Sequence, residues 1–142
     1  MKLFEQIFAL SKSIKNIFQN ESPPDHEYQF ECDPEGSYEI TISGDKFKTL
    51  NIEKLIKNFE NLETLIIKDT SFEEIPDRLE EIKTLTKLEF YSNPKATDVS
   101  NISKLTSLKR LVIKDNKCLK ALPDNTVFPR DLNYLDLSGN SL

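Results

Sequence analysis

The 142-residue sequence predicts an α/β solenoid, with a parallel β-sheet on a concave face and short returns behind it. Three observations predict this class. An apolar pattern recurs at nearly constant spacing along the chain. Within each copy the apolar residues alternate, which is the period of a strand with one buried face. A polar residue, usually Asn, then follows each strand where the chain has to turn. Composition fits one domain of this kind: hydrophobic residues make up 37% and charged residues 30%, with Leu, Ile, Val and Phe distributed throughout.

The repeat is read on its leucines. Leu62, Leu65, Ile67 and Thr70 give L-x-x-L-x-I-x-x-T. Leu85, Leu88, Phe90 and Asn93 follow the same pattern, as do Leu108, Leu111, Ile113 and Asn116, and then Leu132, Leu135, Leu137 and Asn140. Successive units start at Leu62, Leu85, Leu108 and Leu132, so they are 23, 23 and 24 residues apart. A weaker copy at Ser37, Ile40, Ile42 and Asp45 precedes them. Even spacing at this period marks a stacked array, in which each unit buries its neighbour and none is stable alone. These residues resemble the leucine-rich repeat family over residues 37–142, in about five repeats of which the last is incomplete. In such a stack the amide of the ninth-position Asn can bond backbone groups of its own loop and of the adjacent unit. Thr70 and Asp45 depart from Asn, and weaker fixation of the loop is expected there.

The returns are legible in part. Phe72, Ile75, Leu79 and Ile82 stand three or four residues apart, which suits a short helical or 3₁₀ return. Ile75-Pro76 and Leu122-Pro123 mark turns, because Pro restricts the preceding residue and lacks an N–H. Ile102 and Leu105 keep the three-residue step. At Thr126–Asp131, Pro129 stands where the other returns carry Ile or Leu, so an extended path is expected. Asn116–Leu119 has one more residue than Thr70–Phe72, which predicts a bulge.

Residues 1–36 read as an N-terminal helical and β-hairpin cap outside the repeat. Leu3, Ile7, Leu10, Ile14 and Ile17, with Phe4, Phe8 and Phe18, give an amphipathic helix over 2–19. Its mixed polar face, with Glu5, Lys12 and Lys15, suits a cap better than a membrane-surface helix. Residues 20–26 form a linker. Tyr28, Phe30 and Cys32 alternate, as do Tyr38, Ile40 and Ile42, and Asp33-Pro34-Glu35-Gly36 between them is a turn, so a hairpin is expected.

Composition narrows the chemistry. The net charge of −5 disfavours nucleic acid or an anionic membrane as the main partner. Three glycines leave little scope for a phosphate-binding loop, and the single His, His26, has no second His or Cys beside it. Cys118 and Cys32 are read as small buried hydrophobes, about four strands apart and therefore too distant to be joined. No Ser, Asp or Glu spacing indicates a nucleophile and its base. No cofactor, metal or catalytic residue is assigned, and the chain is read as a non-enzyme.

The concave strand positions remain. Position three gives Glu39, Thr64, Lys87, Arg110 and Tyr134. Position five gives Thr41, Ile66, Glu89, Val112 and Asp136. Position seven gives Ser43, Lys68, Tyr91, Lys114 and Ser138. Lys68, Lys87, Arg110 and Lys114 therefore surround Ile66, Glu89, Tyr91 and Val112, with Tyr134 on the next strand. Cations and aromatics of this kind are common in binding hot spots. The same rows also suit a solvated face in which Lys87 and Arg110 flank Glu89 in cross-strand pairs, and Asp69 and Asp115 soften the patch.

The resemblance implies a non-enzymatic scaffold that recognises a protein partner, with an acidic and aromatic surface, through the concave sheet. The alternatives are an assembly module and the recognition part of a larger effector or enzyme. Self-association is expected at the last strand, whose edge and underlying core have no capping segment after Leu142, most simply as a homodimer. With no signal peptide and no membrane span, the expected location is cytoplasmic, with signal-independent secretion as the alternative.

Overall fold

The computed structural model describes residues 28–32, 38–45 and 47–142. The expected helix over 2–19, the linker with His26 and the turn at 33–36 lie outside the described residues. Six strands form one sheet in chain order: β1 (Tyr28–Cys32), β2 (Tyr38–Gly44), β3 (Leu62–Thr70), β4 (Lys87–Tyr91), β5 (Arg110–Lys114) and β6 (Tyr134–Asp136). β1 runs antiparallel to β2, with Tyr28 opposite Ile42 and Cys32 opposite Tyr38. Every later pair is parallel, and each repeat joins to the next without a shift between β3 and β6. The described residues form a solenoid of stacked strand-and-return units.

The alternation read from sequence decides which side is buried. Leu65 and Ile67 on β3, Leu88 and Phe90 on β4, and Leu111 and Ile113 on β5 are fully buried. Behind the sheet, Phe72, Ile75, Leu79 and Ile82 enter the same core, and their return contains the 3₁₀ turn Leu79–Glu81. The next return carries the 3₁₀ turn Ser100–Lys104 around buried Ile102. No helical turn occurs over 126–131, where Pro129 is buried at the apolar position. The first return is a true helix, α1 (Ile52–Asn58). It buries Ile52 and Leu55, with Phe59 just beyond; sequence reading passed over this 3.6-residue spacing because it precedes the first strong repeat.

The polar residue after each strand extends the lateral joining beyond the strand ends. Asn93 donates its amide to the Ile67 carbonyl (3.1 Å) and accepts from the Thr70 N–H (3.1 Å) and the Thr70 hydroxyl (2.7 Å). Asn116 donates to the Phe90 carbonyl (3.1 Å) and accepts from the Asn93 N–H (3.0 Å). Asn140 donates to the Ile113 carbonyl (2.7 Å) and accepts from the Asn116 N–H (2.9 Å). Each amide thereby satisfies one donor and one acceptor that the turn would otherwise bury unpaired. Thr70 is too short to reach back in this way. Its hydroxyl instead accepts from the Phe72 N–H (3.2 Å), and the preceding unit is tied by the Ser71 N–H to the Phe47 carbonyl (2.8 Å).

The residue before each ladder position is left-handed: Asp69, Ser92, Asp115 and Gly139 all have φ between 54° and 71°. Asp is among the non-Gly residues that best tolerate this region. At Gly139 the two loops also approach closely: a Cβ there would stand 1.9 Å from an Asp115 carboxylate oxygen, which would have to swing aside.

Two expectations are corrected. Cys118 is exposed, and Leu119 takes the core position with no exposure. The turn of three residues past the Asn places the third side chain inward, so the thiol at the second points to solvent. The extra residue at Asn116–Leu119 is also not a bulge particular to that loop. Asn93–Ala96 has the same length and closes with the same bond, from the third residue's N–H to the Asn carbonyl (3.2 Å at Ala96, 3.0 Å at Leu119). Thr70–Phe72 is the short variant.

Candidate functional site

The solvent-facing side of the sheet follows from the strand period, since every residue between two core positions points the other way. The ladder aligns these residues into rows. Thr64, Lys87, Arg110 and Tyr134 are successive partners, as are Ile66, Glu89, Val112 and Asp136, and Lys68, Tyr91 and Lys114. Neighbouring strands stand about 4.8 Å apart and a four-residue step along a strand is about 13 Å. Lys68, Lys87, Arg110 and Lys114 therefore mark out a frame about 10 Å by 13 Å on the middle three strands.

Within this frame Lys87 is exposed, while Ile66, Lys68, Glu89, Tyr91, Arg110 and Lys114 are half-buried and Tyr134 is exposed. Val112 departs from expectation at 2% exposure, and Thr64 at 8%. Val112 lies in the middle row, with the longer Glu89 and Asp136 side chains as its cross-strand neighbours. It belongs to the floor of the face and offers almost no contact area.

None of the four cations is in a close ion pair among the described residues. Among the described residues the ion pairs are those of Arg78 with Glu53 and Glu81, and Lys104 with Asp77, all outside the sheet face. The cross-strand pairing of Lys87 and Arg110 with Glu89 is therefore not formed. Instead the Arg110 guanidinium stacks 3.9 Å from the centre of the Tyr134 ring, and the Lys114 ammonium stands 5.6 Å from that of Tyr91. A cation over an aromatic face is attracted by the ring quadrupole and keeps its charge. Both contacts join side chains of one row on adjacent strands, a proximity that single positions along the sequence do not reveal.

Asp136, in the middle row of β6, was placed in its row by sequence but not assigned to the site. Its carboxylate accepts from the Ser138 hydroxyl (2.6 Å) and the Ser138 N–H (2.9 Å). These bonds hold its pKa below the usual carboxylate range, with smaller help from Lys114 and Arg110. Beyond position seven, a groove of about 690 Å³ follows the strand ends, lined by Asp45, Asp69, Ser92, Lys95, Asp115 and Lys117 among others. Acidic side chains thus border the cationic frame on one side. Among the described residues no group of three or more His, Cys, Asp or Glu is placed to hold a metal, and no helix is long and apolar enough to cross a membrane.

No family model matches the chain. It is 26% identical over 104 residues to the protein flightless-1 homolog of Caenorhabditis elegans, a match covering 72% of this chain and 8% of that one. The chain thus spans under a tenth of that relative's length. Among solved structures it resembles the leucine-rich-repeat ectodomain of the receptor kinase SOBIR1 from Arabidopsis thaliana. The identity is 15% and the TM-score 0.40, with 96% of this chain and 93% of that one covered; so slight a likeness adds nothing to the repeat geometry described above.

Proposed function

From the stacked repeats, whose sequence resembles leucine-rich repeats, we propose that this chain is a non-enzymatic module that binds a protein partner through its concave sheet. The observation that carries the reading is the set of Lys87, Arg110, Tyr91, Lys114 and Tyr134 on one solvent-facing surface with no ion pair among the described residues. Half-exposed aromatics and Arg at the centre of a face are the residue types that anchor protein interfaces. The rest of the molecule supplies rigidity, because each of these side chains stands on a strand locked to its neighbours.

Charge reversal tests the reading. In the variant Lys87→Glu with Arg110→Glu, capture of the partner from the native cell is expected to fall about tenfold or more. The melting temperature should fall by only a few degrees, since Lys87 is exposed and Arg110 half-buried with one ring contact, and such charges contribute little to stability. Undiminished capture would move the site off the sheet, to the strand-end groove or the convex returns.

A second reading is favoured by a separate observation. Among the described residues the exposed large hydrophobic side chains are Val127 (66%), Tyr134 (43%), Leu135 (40%) and Leu142 (55%), one on the return that leads into the last repeat and three within it. Leu135 occupies a position that is fully buried in the three preceding strands. Assembly through this end, most simply as a homodimer, would cover it. Light scattering over a dilution series is expected to show a concentration-dependent dimer that Leu135→Glu abolishes; a monomer at all concentrations rejects the reading.

A further inference from the structure

The concave face carries a more specific inference, which rests on the proposed binding role: what kind of partner it fits. On the middle three strands, four cations stand against one carboxylate, Glu89, in a protein of net charge −5. Like charges gathered in so small a frame repel one another, and among the described residues no carboxylate stands within ion-pair distance of them, Asp136 acting on Arg110 and Lys114 only from farther off. Two of the four are held by rings instead of carboxylates, so each is oriented without losing charge. We infer that this face is a docking surface for an acidic protein segment, gripped by Lys68, Lys87, Arg110 and Lys114, with Tyr134 and Tyr91 as positioning residues for Arg110 and Lys114. The floor between the cations is apolar and half-exposed at Ile66, diagonally beside Tyr91 in the ladder, so the segment brings apolar as well as acidic side chains. Asp69 and Asp115, at the rim beyond position seven, repel the same segment and confine it to the frame.

The test uses the whole chain and a fluorescent peptide of about twelve residues alternating Glu and Leu, followed by anisotropy. Binding is expected at roughly 50 mM NaCl and should weaken about tenfold by roughly 300 mM, as exposed charge pairs are screened. Lys87→Glu with Arg110→Glu should abolish it. Tyr134→Leu should weaken it about threefold while Tyr134→Phe, which keeps the ring, restores it. The rim predicts the opposite sign: Asp69→Asn, which keeps a residue tolerant of the left-handed backbone, should strengthen binding about twofold. A peptide in which Gln replaces every Glu separates this inference from the broader reading. If the Gln peptide binds as well as the Glu peptide and Ile66→Asp removes both, the face binds protein but not for its charge, and the inference fails alone. If neither peptide binds, both fail. If a single-stranded oligouridine binds more tightly than the Glu peptide through the same lysines, the anionic partner is nucleic acid and the inference is overturned.

Discussion

Phe90→Ala is expected to lose about 3–5 kcal/mol of stability, the usual cost of truncating a fully buried aromatic side chain. Phe90 has no exposure and lies on β4, with Ile67 and Ile113 as its direct partners on either side. A cavity there opens at the centre of the stack, between two units that rely on each other, and cannot be closed by a loop settling inward. Domains of this size have only about 5–15 kcal/mol in total, so the variant should unfold at a much lower urea concentration. Phe90→Leu, which keeps most of the volume, should lose clearly less. Equal midpoints for the Ala variant and the parent would mean that the repeats do not share one core.

Asn116→Ala is expected to lose about 2–4 kcal/mol, though it removes far fewer atoms. The change leaves the Asn93 N–H and the Phe90 carbonyl without their partners in a place closed to water. Each stranded buried group costs about 1–3 kcal/mol. The natural Thr70 supplies the control. Asn116→Thr puts a residue that the ladder already accepts at that position: its hydroxyl, like that of Thr70, would not reach the stranded groups but could donate to the next ladder amide, as Thr70 does to Asn93 (2.7 Å). Its loss should fall between those of the parent and the Ala variant. Urea midpoints with an unchanged slope would show that stability, and not the unfolded chain, has altered.

Much of this molecule was legible in its sequence because a solenoid writes its contacts at a fixed spacing. Leu65, Leu88 and Leu111 are cross-strand partners as well as aligned letters, so the rows of both faces could be written before any coordinate. The limits of that reading are equally physical. Alternation assigns a side chain to a face but says nothing of the height of its neighbours, which is why Val112 came out as floor. A count from the Asn could not place Cys118 until the turn geometry was seen to send the third residue inward. The ring contacts of Arg110 and Lys114 depend on where long side chains settle among several options, and residue type alone does not decide this. The α1 helix was missed because its unit lacks the leucine that announces the others.

The asparagine ladder has a consequence for how the chain finds its fold. Its bonds link Thr70 to Asn93, Asn93 to Asn116 and Asn116 to Asn140, always across 23 or 24 residues. No contact in the ladder waits for distant ends of the chain to meet. A structure joined only to its nearest neighbours behaves as a line of coupled segments: order can begin at any well-matched pair and spread outward one segment at a time. The pair best placed to begin is the one centred on Asn93 and Asn116, where the buried amides are matched on both sides. Thr70, which cannot reach back, marks the joint where the ladder stops, and there the longer β2–β3 pairing and the Ser71 N–H take over the coupling to the α1 unit.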